Sequence, residues 1–224
     1  MTDPDYVPER RPIASREHPL SIRVASRIAG WGISPNAISV AGMTCGVLAG
    51  VVLACTTLLE HERFCFVGAA ALMQGRLLAN MLDGMVAVQA GRASPVGELF
   101  NEVPDRVSDA AIFVGTGYAV GSMPELGYLA AVAALFTAYV RAEGKVAGAH
   151  QEFCGPMAKP QRMAVMTMAA LYAGLAPAAW QLRLTSWPGL STMAMALLLI
   201  TSGSALTSLR RLLRISRALH KETT

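Results

Sequence analysis

Residues 80–109 read Asn80-Met-Leu-Asp83-Gly84-Met-Val-Ala87-Val88-Gln-Ala-Gly91-Arg92-Ala-Ser-Pro95-Val-Gly97-Glu98-Leu-Phe-Asn101-Glu102-Val-Pro-Asp105-Arg106-Val-Ser-Asp109. Two largely apolar segments meet at a short Gly91-to-Pro95 turn, which predicts two antiparallel neighbouring helices. Asn80 and Asp83 are spaced i,i+3 and share a face of the first. Asn101 and Asp105 are spaced i,i+4 on the second, with Gly97 one turn before them and Asp109 one turn beyond. Two facing rows of oxygen donors suit a hard divalent cation such as Mg²⁺ or Mn²⁺. Gly84 and Gly97 leave room for a bulky ligand to reach the backbone.

Working outward, these polar rows sit in an apolar chain. Of 224 residues, 53% are hydrophobic and 15% charged, and the mean hydropathy is +0.41. A soluble domain carries about 25% charge. The composition excludes a disordered chain and a coiled coil and points to a multi-span membrane protein. A span needs about 20 apolar residues. Six segments qualify, at 37–59, 66–90, 96–121, 126–148, 162–181 and 188–210, and predict an all-α integral membrane fold with six transmembrane helices.

Basic residues orient it. Arg10, Arg11, Arg16, Arg23 and Arg27 precede the first span, and Arg210, Arg211, Arg214, Arg217 and Lys221 follow the last. Between spans, Arg92 and the pair Lys159 and Arg162 fall on one side; Arg63, a cation-free Ser122–Glu125 connection and Arg183 fall on the other. This alternation predicts both termini in the cytoplasm. The net charge of +4 is then a property of loops near anionic headgroups rather than a sign of nucleic acid. No apolar leader precedes residue 30, so no cleavable signal is expected, and a bacterial inner (plasma) membrane location is.

Residues 1–16 read as a flexible cytoplasmic tail, 17–32 as an amphipathic interfacial helix, 33–216 as the six-helix domain and 217–224 as a cytoplasmic C-terminal tail. In the second of these, Leu20, Val24 and Ile28 recur every four residues while Arg23 and Arg27 lie off the stripe. Cys45, Cys55, Cys65 and Cys154 form no CxxC pair and read as free buried thiols.

Ionisable groups at membrane depth are costly, and each marks a functional hypothesis. Arg76 and Asp83 fall in the second span, Glu98, Glu102, Asp105, Arg106 and Asp109 in the third, and Arg141, Glu143 and Lys145 end the fourth. All lie toward the cytoplasmic ends of their spans, where one polar cavity can collect them. Mutual neutralisation is the alternative, with Arg76 on Asp83 and Arg106 on Glu102 or Asp109.

The run Asn80-x-x-Asp83-Gly84-x-x-Ala87-(x)9-Gly97-x-x-x-Asn101-x-x-x-Asp105 resembles the CDP-alcohol phosphotransferase signature D-x-x-D-G-x-x-A-R-x8-G-x-x-x-D-x-x-x-D, in register over 26 positions. Ser34-Pro-Asn-Ala-Ile-Ser39 resembles the family's entry to its first span. Tyr139-Val-Arg-Ala142 and Lys159-Pro-Gln-Arg162 resemble segments of members with phosphorylated polyol acceptors. Asn80 and Asn101 replace two signature aspartates, and Val88 replaces the arginine.

The resemblance implies transfer of a phosphatidyl group from a CDP-linked lipid, such as CDP-diacylglycerol, to a hydroxyl of a small polyol, with release of CMP. It assigns one or two Mg²⁺ or Mn²⁺ ions to Asn80, Asp83, Asn101 and Asp105, and the catalytic base to Asp105. It assigns the nucleotide to Ser39, Asp83, Gly84, Ala87 and Gly97, and implies a homodimer. Arg141, Lys159 and Arg162 can bind an acceptor phosphate, or serve only as loop charges. Arg76, Arg92, Glu102 and Asp109 are auxiliary candidates. A CDP-lipid-binding relative with lost or altered catalysis is the runner-up, and a small ion or proton transporter is third.

Overall fold

A computed structural model describes residues 18–89, 95–150, 152–181 and 190–222. These form seven α-helices and, among the described residues, no β-strand: α1 (Pro19–Gly30), α2 (Pro35–Ala54), α3 (Glu62–Gln89), α4 (Pro95–Gly117), α5 (Pro124–Val146), α6 (Lys159–Leu175) and α7 (Thr192–Glu222). Proline begins several of them, where its missing N–H costs nothing. Ser34 caps α2 by accepting from the Ala37 N–H at 3.2 Å.

Six helices, α2 to α7, stand close to the six segments expected. Four are long and apolar enough to cross a membrane: Pro35–Thr57, Glu62–Gln89, Pro124–Val146 and Thr192–His220. The other two are different in kind. α4 carries the acidic row, and α6 has only 17 residues. The last helix runs to Glu222, well past 210 and through the residues read as a tail. Ile215 explains part of the extension, because it packs with Val140 and Ala149.

α3 and α4 run antiparallel as expected, but the direct packing expected between them is corrected. The two barely touch along their length, because α2 lies between them and packs on both. Glycines make this possible. A Cβ at Gly42 would sit 2.8 Å from Ala79 Cβ of α3, and one at Gly46 would sit 2.5 Å from Ser108 Cβ of α4. At Gly50 it would sit 2.2 Å from the Ala111 carbonyl oxygen, a backbone atom that cannot turn aside. The repeat Gly42-x-x-x-Gly46-x-x-x-Gly50 is a small-residue stripe of the kind that draws membrane helices together.

The contacts fix directions. Gln74 meets Thr167 and Gly174 meets Val67, so α3 and α6 are antiparallel; Gly117 meets Pro124 and Phe113 meets Gly127, so α4 and α5 are too. α2, α4 and α6 run one way, and α3, α5 and α7 the other. The main apolar core, with Leu53, Phe66, Met73, Phe113, Met166 and Leu197, occupies the middle and one end. The charged residues gather at the other.

α1 forms over the stretch expected to be amphipathic. Ala25, Ile28 and Ala29 pack beside Met85 and Val86 of α3, while Leu20, Ile22 and Val24 remain exposed. The four cysteines are free and half-buried.

Candidate active site

The charged end is built from five helices. α2 contributes Ser39 near its start; α3 contributes Arg76, Asn80 and Asp83; α4 contributes Asn101, Asp105 and Asp109. α5 brings Thr137 and Arg141, and α6 begins with Lys159 and Arg162. Polar groups from Ser39, Arg76, Asn80, Asp83, Asn101 and Asp105 line one cleft, with Gly42, Met43, Pro104 and Ser108 completing it.

Two buried acceptor oxygens there have no hydrogen-bond partner, Asp83 Oδ1 and Asn101 Oδ1. The other Asp83 oxygen accepts from Ser39 Oγ at 2.5 Å. Buried polar atoms are nearly always paired, so orphaned acceptors in one cleft call for a cation or a donor. Arg76 adds the opposite kind of orphan. Its Nη2 donates to the Asp105 carbonyl and Oδ1 and to Asp109 Oδ1, while its Nε and Nη1 are buried without partners.

Arg76 therefore pairs with the acids of α4, at 3.2 Å to Asp105 and 2.6 Å to Asp109, and not with Asp83 as one reading of the sequence had it. Lys159 pairs with Asp105 Oδ2. Arg162 is 2% exposed and pairs with Asp109 at 3.1 Å, while its Nη1 donates to Thr137 Oγ1 and the Met157 carbonyl. Arg141 donates to Glu102 at 2.7 Å, which also pairs with Arg106, and stands over the Phe153 ring.

The expected site residues thus divide. Asn80, Asp83, Asn101, Asp105 and Ser39 share the cleft, with the auxiliary candidate Arg76. Gly84, Ala87 and Gly97 do not line it; the first two are buried on α3 and the third lies near the start of α4. Each of the three acceptor-phosphate candidates is paired with an acid of α4. Lys159 reaches the cleft through Asp105, Arg141 is on the flank with Glu102, and Arg162 is enclosed beside Asp109. Asp109 is 2% exposed and held between two arginines. Arg92 and the Glu98 side chain lie outside the described residues.

Other contributors were not foreseen. Arg211 on α7 donates to the Thr137 carbonyl at 2.8 Å and the Cys154 carbonyl at 3.0 Å. Thr207 Oγ1 accepts from the Met157 N–H at 3.0 Å. Together they hold residues 154–157 and so set where Lys159 and Arg162 begin α6. The Arg211 charge was visible only as one of a basic run. The cleft floor at Gly42 and Ser108 had a signal in the glycine repeat of α2.

The donor chemistry fits a divalent cation: two carboxylates and two amides, all hard oxygen ligands, with two oxygens open. Among the described residues no three His, Cys, Asp or Glu side chains converge as a metal set, which follows from amides at positions 80 and 101.

No family model matches the chain. The phosphatidylinositol phosphate synthase of Streptomyces avermitilis is 27% identical over 193 residues, 83% of this chain and 73% of that protein. The archaetidylinositol phosphate synthase of Pyrococcus horikoshii is 24% identical over 167 residues, 74% and 84% of the two. Mycobacterium tuberculosis phosphatidylinositol phosphate synthase with CDP-DAG bound has the same fold, with TM-score 0.70 at 18% identity over 88% of this chain and 94% of that one. Its complex with manganese and citrate aligns at TM-score 0.69 and 19% identity, over 87% and 88%. The named relatives of this chain are therefore inositol phosphate lipid synthases, enzymes of the CDP-alcohol phosphatidyltransferase family.

Proposed function

We propose that this chain is a CDP-alcohol phosphatidyltransferase that moves a phosphatidyl group from CDP-diacylglycerol to a hydroxyl of a phosphorylated polyol and releases CMP. The observation that carries the reading is the cleft, where orphaned acceptors on Asp83 and Asn101 stand beside orphaned donors on Arg76. A diphosphate accompanied by a divalent cation satisfies both sets at once. The relatives named above support the acceptor class, an inositol phosphate.

Asn80, Asp83 and Asn101 would hold the cation, Mg²⁺ or Mn²⁺, while Asp105, expected among its ligands, is engaged by Arg76 and Lys159. When bound it would neutralise the diphosphate and stabilise the leaving phosphate. The acceptor oxygen attacks the phosphorus that carries diacylglycerol, the bond from that phosphorus to the CMP oxygen breaks, and the acceptor proton goes to Asp105. Lys159 lies on the Asp105 oxygen that would take the proton. An acceptor phosphate draws the ammonium away and frees Oδ2. Arg76 keeps the carboxylate aimed through Oδ1. Arg162 and Asp109 position α6 against α4, and Arg141 with Arg106 offers the flank to anionic groups. Ser39 orients Asp83.

The topology we propose is six spans, α2 to α7, in a bacterial inner membrane with cytoplasmic termini. It is supported by the alternating helix directions and by the basic residues at the charged end. α1 would lie in the interface on its exposed Leu20, Ile22 and Val24, and the active form would be a homodimer. A binding protein without turnover is the second reading, favoured by the amides at positions 80 and 101.

Purified chain supplied with CDP-diacylglycerol, Mn²⁺ and inositol phosphate should release CMP and yield a phosphoinositide detectable by mass spectrometry. CDP-lipid binding with no CMP from any polyol would select the second reading. Single cysteines at positions 92 and 123 should label from opposite sides of a vesicle, and same-side labelling would end the six-span topology.

A further inference from the structure

We infer that the site accepts one divalent cation, not two, and that the Lys159 ammonium fills at Asp105 the place a second cation would take. The inference rests on the proposed function and concerns how its site is charged.

Counting open oxygens is the first argument. Asp105 Oδ1 is taken by Arg76, its Oδ2 by Lys159 and its carbonyl by Arg76 again. Asp83 Oδ2 is taken by Ser39. The buried acceptors left open are Asp83 Oδ1 and Asn101 Oδ1, with Asn80 beside them in the cleft. A six-coordinate ion can be completed from these by diphosphate oxygens and water. A second ion would have to share an Asp105 oxygen with the Lys159 ammonium or the Arg76 guanidinium, which sets like charges against one another.

Charge is the second and independent argument. Asp83, Asp105 and Asp109 oppose Arg76, Lys159 and Arg162, so these six groups sum to zero. The diphosphate of a CDP-linked lipid brings two negative charges, and one dication balances them. A second dication would leave an excess of two positive charges among groups that are nearly all buried, where unpaired charge is expensive. The flanking Glu102, Arg106 and Arg141 add one more positive charge and make that excess worse. Aspartates at 80 and 101 would supply the two missing negatives. The amides and the Lys159–Asp105 pair are thus two parts of one arrangement.

The test counts Mn²⁺ on the full-length chain in lipid nanodiscs, with CDP-diacylglycerol present and no acceptor. Equilibrium dialysis should give one ion per chain, and the electron paramagnetic resonance spectrum should lack the Mn–Mn coupling of ions about 4 Å apart. The double variant Asn80→Asp with Asn101→Asp should bind two coupled ions. Lys159→Met should tighten Mn²⁺ binding about tenfold by returning an Asp105 oxygen to the site. Thermal unfolding confirms that each variant is folded. If the double variant fails to fold, the wild-type count and Lys159→Met still decide. Two coupled ions on the wild type, no ion at all, or unchanged affinity in Lys159→Met would overturn the inference. Adding inositol phosphate afterwards reads the function separately. CMP released by a two-ion wild type would sink the one-ion site and leave the transferase standing, whereas one bound ion with no CMP from any polyol would sink the transferase.

Discussion

The end of the bundle around Ser39, Arg76 and Asp105 and the end around Gly50, Gly115 and Phe113 are held together by different forces. At the second, helices meet without side chains between them. A Cβ on Gly115 would lie 2.0 Å from the Gly50 carbonyl oxygen, and one on Gly127 would lie 2.7 Å from that of Phe113. Dispersion at close range holds this end, with Thr56 Oγ1 accepting the Val120 N–H at 3.0 Å as a local tie. At the first end the helices are spaced by charged side chains that neutralise one another but leave buried atoms of Arg76, Asp83, Asn101 and Arg162 unsatisfied. Close packing maximises stability and leaves no space. The polar end keeps a cleft at the cost of incompletely paired groups, and that is where a ligand can contribute what the chain lacks.

The sharpest way to break this contrast is at Asp105. Asp105→Asn keeps the shape and removes the proton acceptor, so transfer should fall about 10³-fold. CDP-lipid binding should persist. Near-normal CMP release would move the base elsewhere, with Asp109 next in line, although its two arginines make it a poor alternative. The next largest effect belongs to the other end. Gly50→Val drives side-chain carbons into the Ala111 backbone and should cost about 2–3 kcal/mol of stability, with the remaining folded protein turning over normally. Denaturation in detergent measures the first and turnover per folded chain the second. A large loss of turnover without loss of stability would mean that the two ends are not separable.

Smaller effects sharpen the boundary. Ser39→Ala removes a hydrogen bond to a buried carboxylate and should weaken CDP-lipid binding about fivefold, roughly 1 kcal/mol, while melting stays nearly unchanged. The smallest is Arg214→Ala. Its Nη1 lies 3.8 Å from Glu152 Oε2 at an exposed position, so stability should change by less than about 0.5 kcal/mol and CMP release not at all. A substantial effect on turnover would extend the functional region to the surface between α5 and α6.

Much of the candidate site was legible along the chain because its geometry is local. Asn101, Asp105 and Asp109 must share a face once residues 95–117 are helical, since i,i+4 spacing fixes that whatever surrounds the helix. The helices themselves were legible for a related reason. A long apolar segment cannot leave backbone N–H and C=O groups unpaired in lipid, so it closes its own hydrogen bonds. The same logic mislocated the end of α7, whose final turns are basic and are retained partly by tertiary contact through Ile215 and Arg211.

What the chain determined by itself, then, was the set of helices and the oxygen-rich rows on α3 and α4. Their partners were decided only by the tertiary structure. Helical spacing made Arg76 and Asp83 eligible to pair, and it placed Arg141, Lys159 and Arg162 near one end of their helices. Which acid each cation meets depends on how far each helix is rotated and how deeply it is set. Those quantities follow from the glycine face of α2 seated between α3 and α4, and from Arg211 and Thr207 holding the approach to α6. An ion pair acts over a few ångströms, whereas helix placement is the sum of contacts along the whole interface. For that reason Arg76 turned to Asp105 and Asp109, Lys159 closed on Asp105, and Asp83 and Asn101 were left facing the cleft with an oxygen open.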